Sequence, residues 1–288
     1  MGAGIAVRRV GHFADLDVHE HSCTFGPEDT PFEEQHEAYT IGLVYEGTFQ
    51  YRSGCTTMTM TPGAVMLGNI GQVFTCSHEY GRGDRCVALS FGPGTFEDVA
   101  REAGVRLRGF RHPIAPARAR HFAFAKTLLG VGDPLPPSAE EVARVLAADL
   151  LRRQSDRTLP LATITWAERR RAVAACEFIA RHGDGPLPLA RVAEHVRSSP
   201  FHFLRSFKRA VGVTPHQFLV QTRLSRAAPM LLDTDAAITD VAYAAGFPDL
   251  ANFNRSFRRS LGCSPRELRR SKLCRVARRT GWIGEECP

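Results

Sequence analysis

Twelve residues near the carboxy-terminal end of the chain occur twice. Leu204-Arg205-Ser206-Phe207-Lys208-Arg209-Ala210-Val211-Gly212-Val213-Thr214-Pro215 returns about 50 residues later as Asn254-Arg255-Ser256-Phe257-Arg258-Arg259-Ser260-Leu261-Gly262-Cys263-Ser264-Pro265, with six of the twelve positions identical. The segment before each copy repeats as well. Leu189, Val192, Ala193 and Val196 fall at i, i+3, i+4 and i+7, and so do Ile238, Val241, Ala242 and Ala245. A duplicated supersecondary unit is the simplest source of such self-similarity. Each copy reads as an amphipathic helix, a tight turn and a second amphipathic helix.

The turns carry their own chemistry. In Arg197-Ser198-Ser199-Pro200, Ser199 is placed to cap the following helix and Pro200 to occupy its first position. In Gly246-Phe247-Pro248-Asp249, Gly246 suits a left-handed turn and Asp249 a cap. Phe203 and Phe207, like Phe253 and Phe257, lie four apart and are expected to face a core. Phe201, Leu204, Arg205 and Lys208 then share the opposite face of one helix, and Leu250, Ala251, Asn254, Arg255 and Arg258 that of the other. Arg donates two bonds to guanine, Asn pairs with adenine, and Leu or Ala meets a thymine methyl, so these outward faces suit base reading in a major groove. Lys208, Arg209, Arg258 and Arg259, together with the capping Ser199, are candidates for phosphate contacts. The alternative for any single outward residue is a solvated helix face. A connecting helix over Thr214 to Asp233 would be about 27 Å long at 1.5 Å per residue, near the ~34 Å that separates successive major-groove faces. Pro229 inside it predicts a kink or a shortening.

Charge separates the two halves. From Leu161 onward there are 21 Lys and Arg against 11 Asp and Glu, while the residues before carry 16 against 19. A basic module beside a slightly acidic one suits a part that meets phosphates and a part that does not. In the first half, short β-branched and aromatic runs alternate with turn signals such as Glu46-Gly47, Ser53-Gly54, Thr61-Pro62-Gly63 and Gly68-Asn69, the pattern of a sandwich or small barrel. Helices are predicted over Ala117 to Leu129 and Ser138 to Gln154, with a capping box at Ser138-Ala139-Glu140-Glu141. Ser155 to Thr165 reads as a linker. The expected organisation is a two-domain α+β chain: residues 1–160 as an effector and dimerisation domain, and 161–288 as an all-α DNA-binding domain. No apolar run approaches a membrane span, and the amino terminus lacks the pattern of a signal peptide, so the expected location is the cytoplasm.

Eight cysteines in such a chain are expected to be reduced, buried or metal-bound. Cys23, Cys76, His78 and Cys86 form the candidate sensor cluster. If Tyr80 to Arg82 were a hairpin tip, Cys76 would oppose Cys86, His78 would face Asp84, and Cys23 would join from a neighbouring strand. Zinc or a reversible disulfide suits such a set, and plain packing of small apolar side chains is the alternative.

The strings LARVAEHVRSSPFHFLRSFKRAVGVTPHQFLVQTRLSRA and LLDTDAAITDVAYAAGFPDLANFNRSFRRSLGCSPRELR resemble the DNA-binding domain of the AraC-type transcription regulators. The resemblance covers about Ala167 to Arg270. It implies base reading at Phe201, Leu204, Arg205, Leu250, Ala251, Asn254 and Arg255, and double-stranded DNA and RNA polymerase as partners of an activator. His36, the Tyr45-Glu46-Gly47 turn and Thr61-Pro62-Gly63 resemble, over a shorter stretch, the cupin-like β-barrel effector domain of that family. That implies a small-molecule signal and a homodimer, with the helices of 117–155 as the candidates for pairing and plain packing inside the domain as the alternative. The rival class is a metal-dependent cupin enzyme fused to a DNA-binding module. His36 is followed by Glu37-Ala38 and not by the His-x-His arrangement of a catalytic cupin, so no catalytic residues are assigned.

Overall fold

The computed structural model describes residues 4–79, 83–106, 108–115, 121, 124–125, 128–129, 138–155, 164–261 and 263–270. Ten strands are formed among the described residues: β1 (Ile5–Phe13), β2 (Leu16–Cys23), β3 (Phe32–Gln35), β4 (Tyr39–Gly47), β5 (Phe49–Ser53), β6 (Thr56–Met60), β7 (Val65–Gly68), β8 (Val73–Ser77), β9 (Asp84–Phe91) and β10 (Ile114–Ala115). Helix α1 (Pro93–Glu102) separates β9 from β10, and α2 (Ser138–Ser155) follows. The elements that follow among the described residues are helices: α3 (Trp166–His182), α4 (Leu189–His195), α5 (Pro200–Val211), α6 (Pro215–Asp233), α7 (Ile238–Ala244), α8 (Leu250–Leu261) and α9 (Pro265–Arg270). Among the described residues no helix is long and apolar enough to cross a membrane.

The strands form two antiparallel sheets, ordered β1-β2-β9-β4-β7-β10 and β3-β8-β5-β6. This corrects the expected barrel: no strand ladder joins the sheets among the described residues, so they stack as a sandwich instead of closing. The larger sheet is covered on both sides. Leu16, Val18, Ile41, Leu43, Val65, Leu67, Val87, Leu89 and Phe91 pack with Phe96, Val99 and Ala100 of α1 and with Val142, Leu146 and Leu150 of α2. The alternate positions turn towards the second sheet, where Val44 and Cys86 join Phe49, Tyr51, Met60 and Cys76 in a smaller apolar cluster. A continuous apolar run, Ile41 to Tyr45, is what a strand buried on both faces requires.

The predicted hairpin across Tyr80 to Arg82 is also corrected. The tip lies outside the described residues, but its flanking strands belong to different sheets: β8 pairs with β3 and β5, and β9 with β2 and β4. The chain crosses from layer to layer here. Gly83, at φ +68°, makes the crossing tight, since a Cβ there would sit 2.7 Å from the Cys23 carbonyl oxygen.

Of the predicted helix 117–129, only 121, 124–125 and 128–129 are described, and His121, Phe124, Ala125 and Leu128 among them are buried. The linker expected at 155–165 is described only at its ends, where Ser155 closes α2 and Thr165 is the N-cap of α3 in a capping box with Glu168. Apolar clusters on the two sides of residues 156–163 share no residue.

His36 shows how tightly the sandwich interior is filled. Its Nε2 lies 3.2 Å from the Tyr51 hydroxyl and its ring stacks on Phe74 at 4.3 Å. Burial pushes its pKa down to about 4, so it is neutral, and its ring is held against an aromatic neighbour and the Tyr51 hydroxyl. A Cβ on Gly68 would fall 2.2 Å from the His36 ring. Gly68→Ala is therefore expected to destabilise the protein by about 1–3 kcal/mol, against little change for Gly4→Ala in open space, as read by chemical denaturation. A second expectation concerns pH. The unfolded His36 binds a proton near pH 6.5 and the folded one only near 4, so its contribution is complete above the first value and is lost as pH falls towards the second. Denaturation midpoints across that window, compared with His36→Gln, check it; an equal slope in the variant refutes it.

Candidate nucleic-acid interface

The duplicated sequence folds as two helix-turn-helix units. In the first, α4 and α5 are joined through Arg197, whose φ is +51°, and Ser199 caps α5 by accepting from the His202 amide at 3.4 Å. In the second, α7 and α8 are joined through Gly246 at φ +96°, and Asp249 accepts from the Asn252 amide at 2.6 Å. Both turns thus use a left-handed residue. Only the second needs glycine, because a Cβ on Gly246 would stand 2.6 Å from the Gly183 carbonyl oxygen.

The inward faces are aromatic. Phe203 and Phe207 meet edge to face at 5.4 Å, and Phe253 and Phe257 repeat this at 5.3 Å. All four are buried. That fixes the rotation of α5 and α8 and so decides what each presents outward. On α5, Phe201 is 71% exposed, Leu204, Arg205 and Lys208 are exposed, and the Arg205 guanidinium lies 5.8 Å from the Phe201 ring centre. On α8, Ala251, Arg255, Arg258 and Arg259 are exposed, while Leu250 and Asn254 are half-buried. One basic side chain is already engaged: Arg209 donates to Glu168 of α3, whose carboxylate also closes the capping box with Thr165. The Thr165 amide, then burial opposing it, then Arg209 act on Glu168, and the net effect holds it below the usual carboxylate range. Arg209 therefore serves as a strut between α3 and α5, unlike its counterpart Arg259.

The connector α6 runs unbroken over 19 residues, through Pro229, and opens with a Thr214–Gln217 capping box. The predicted shortening at Pro229 does not occur. Arg223, near the middle of α6, went unnoticed in the sequence. It is buried, donates from Nε to the Gly183 carbonyl at 2.7 Å and from its terminal nitrogen to Gly185 at 2.8 Å, and lies 5.9 Å from the Phe247 ring centre. It thereby joins the loop after α3 to the turn of the second unit. An arginine in an amphipathic helix reads as solvated, and only the packing of distant segments reveals this one as a clamp.

The cysteine cluster is partly assembled. Cys23 on β2 stands opposite Asp84 on β9, and His78, just past β8, places Nε2 2.6 Å from Asp84 Oδ1. Ligand atoms of Cys23, His78 and Asp84 all lie within 4.8 Å of one another. Cys76 and Cys86 stand outside that group, on opposite sheets, and burial pushes both thiols up, so they stay protonated. Burial opposes charge on His78, but the Asp84 carboxylate and Cys23 outweigh it and push its pKa up to about 9. No two of the six described cysteines form a disulfide with each other, and Cys55 alone among them is exposed. Cys274, Cys287 and the basic tail after Lys272 lie outside the described residues.

Comparison with known proteins agrees with this geometry. Residues 192–271 match the family model described as a helix-turn-helix domain. The melibiose operon regulatory protein of Escherichia coli K12 is 34% identical over 103 residues, 36% of this chain and 33% of that protein. The HTH-type transcriptional activator RhaS of E. coli O139:H28 is 38% identical over 81 residues, 28% of this chain and 29% of that one. This chain carries a helix-turn-helix domain similar to those of these regulators. It spans about a third of the length of the curated relatives it matches. Among solved structures, the DNA-binding domain of AdpA in complex with a target DNA is 26% identical, covering 35% of this chain and 90% of that one at a TM-score of 0.34.

Within the helix-turn-helix domain the clamp is testable. Arg223→Met is expected to lower stability by about 2–3 kcal/mol, because two carbonyls lose a charged donor, whereas exposed Arg191→Met should cost under about 0.5 kcal/mol. Equal denaturation midpoints for the two variants would refute the clamp.

Proposed function

We propose that this chain is a transcription regulator that binds double-stranded DNA by setting α5 and α8 into successive major grooves. The observation that carries the reading is the duplication of a helix whose buried Phe pair turns an Arg-bearing face outward, with both copies held by one helix, α6. At 1.5 Å per residue its 19 residues extend about 28 Å, close to the ~34 Å of one DNA turn. Phe201, Leu204 and Arg205 are assigned to bases in one groove, and Leu250, Ala251, Asn254 and Arg255 in the next. Ser199, Lys208, Arg258 and Arg259 are assigned to phosphates; Arg209, held by Glu168, is the weaker member of that set.

Residues 161–288 are the DNA-binding part and residues 1–160 the part that receives the signal. Between the two sheets lies a cavity of about 800 Å³, bordered by His19, His21, Glu34, His36, Cys86 and Ser90 among others. Its size and mixed lining suit a small organic effector. The relatives are regulators and an activator by name, which favours this reading over a cupin enzyme and favours activation through contact with RNA polymerase. The outward face of α2 is the proposed surface for pairing two copies, since His121, Phe124, Ala125 and Leu128 are already buried within the chain.

Arg205→Ala and Arg255→Ala are each expected to weaken binding to the cognate site by about 1–3 kcal/mol and to relax preference at one base pair. Footprinting across a set of site variants measures both effects, and unchanged specific affinity in the two variants would remove the groove assignment. A fragment from Ala162 onward should bind DNA by itself with a steep dependence on salt; a folded fragment indifferent to DNA would overturn the division of labour.

A further inference from the structure

We propose that Cys23, His78 and Asp84 form a binding site for a thiophilic divalent metal ion, zinc by its donor set, that ties the two sheets together at one end of the intersheet cavity. The three side chains come from three places in the fold. Cys23 ends β2 and Asp84 begins β9, in register with each other in the larger sheet. His78 follows β8 of the smaller sheet. All three are buried, and their ligand atoms already lie within 4.8 Å of one another. Zinc holds sulfur at about 2.3 Å and nitrogen or oxygen at about 2.0–2.2 Å, so adjacent ligand atoms around it sit roughly 3.5 Å apart. To reach that arrangement the widest separation, at most 4.8 Å, contracts, and the 2.6 Å hydrogen bond between His78 and Asp84 opens as the ion takes its place.

A second observation points to a ligand. The His78 side chain is 1% exposed, and its Nδ1 has no hydrogen-bond partner although Nε2 is engaged by Asp84. Buried polar nitrogens are ordinarily paired, and one left over beside a thiol and a carboxylate marks a place where something else binds. One sulfur, one imidazole and one carboxylate are a mixed set that zinc accepts and that magnesium or calcium, which take oxygen ligands, do not. Cys23 and Asp84 border the intersheet cavity, so a fourth position would open towards it and be filled by water or by a ligand atom of an effector. On binding, the Cys23 thiol and the protonated His78 ring each give up one proton to solvent, so that sulfur binds as thiolate and His78 as neutral imidazole. The ion would thus fix the spacing of the two sheets where the cavity opens. Cys76 and Cys86 pack nearby without belonging to the set.

Cobalt(II) titration of the full-length, reduced, metal-stripped protein tests this without any DNA, so its failure would leave the DNA-binding reading untouched. One equivalent should bind with a thiolate-to-cobalt charge-transfer band in the near ultraviolet, and zinc should displace it. Cys23→Ser should abolish that band, Asp84→Asn should weaken cobalt binding at least tenfold, and Cys55→Ser should leave both unchanged. Absence of the band in the unmodified protein, or its persistence in Cys23→Ser, overturns the site. If Cys23→Ser does not fold, Asp84→Asn decides, and unchanged affinity in it overturns the site equally.

Discussion

The helical half of this protein depends on one buried guanidinium. Two helix-turn-helix units can each be stable around a Phe pair and a few alanines, but nothing in either unit fixes its angle to the other. Arg223 supplies that constraint. It reaches from the connector to two carbonyls of the loop after α3 while its face lies against Phe247 in the second turn. Burial disfavours its charge, and neighbouring Arg226 disfavours it further, so its pKa is held below the usual value for arginine. The cost is offset only while both carbonyls stay in place. Gly246 reinforces the same contact from the other side, because any side chain there would push the loop away. Spacing of the two recognition helices is thus a property of a loop, a connector and a turn acting together.

The strand-rich half obeys a different rule. Its larger sheet is sealed on one face by α1 and α2 and faces the second sheet with the other. Such a central layer is stiff, since both faces are packed, and it passes strain on instead of absorbing it. The intersheet space is where change can be accommodated. It is there that the imidazoles of His19, His21 and His36 and the thiols of Cys23, Cys76 and Cys86 collect. A signal that altered the spacing of the sheets would act at this interior and not at the sealed face.

Much of this was legible in the residues. The duplication, the Phe pairs, the Ser199 and Asp249 caps and the left-handed Gly246 follow from local rules of period and turn chemistry, and each is found as expected. The β-rich character of the first half was legible for the same reason. Pro229 was read as a kink or a shortening; the shortening is absent, and α6 continues with Leu224, Ala227, Ala228 and Leu231 packed on both sides of the proline. Arg209 misled in the opposite direction. Its outward position suggests a phosphate, but a carboxylate 41 residues earlier in the chain holds it.

What the sequence by itself determined is whatever depends on neighbours within a helix or a turn: the two units, their polarity, and the side chains they turn outward. Tertiary structure decided the rest. The alternation of strands is compatible with a barrel or a sandwich, because period two says which face is apolar and nothing about which strand lies alongside. The same ambiguity turned β8 and β9 from a supposed hairpin into members of opposite sheets. Asp84 joined Cys23 and His78 only because three separate segments converge, and Arg223 became a clamp only because a loop 40 residues earlier in the chain folds against it. Contacts between distant segments have no period, so no local pattern announces them.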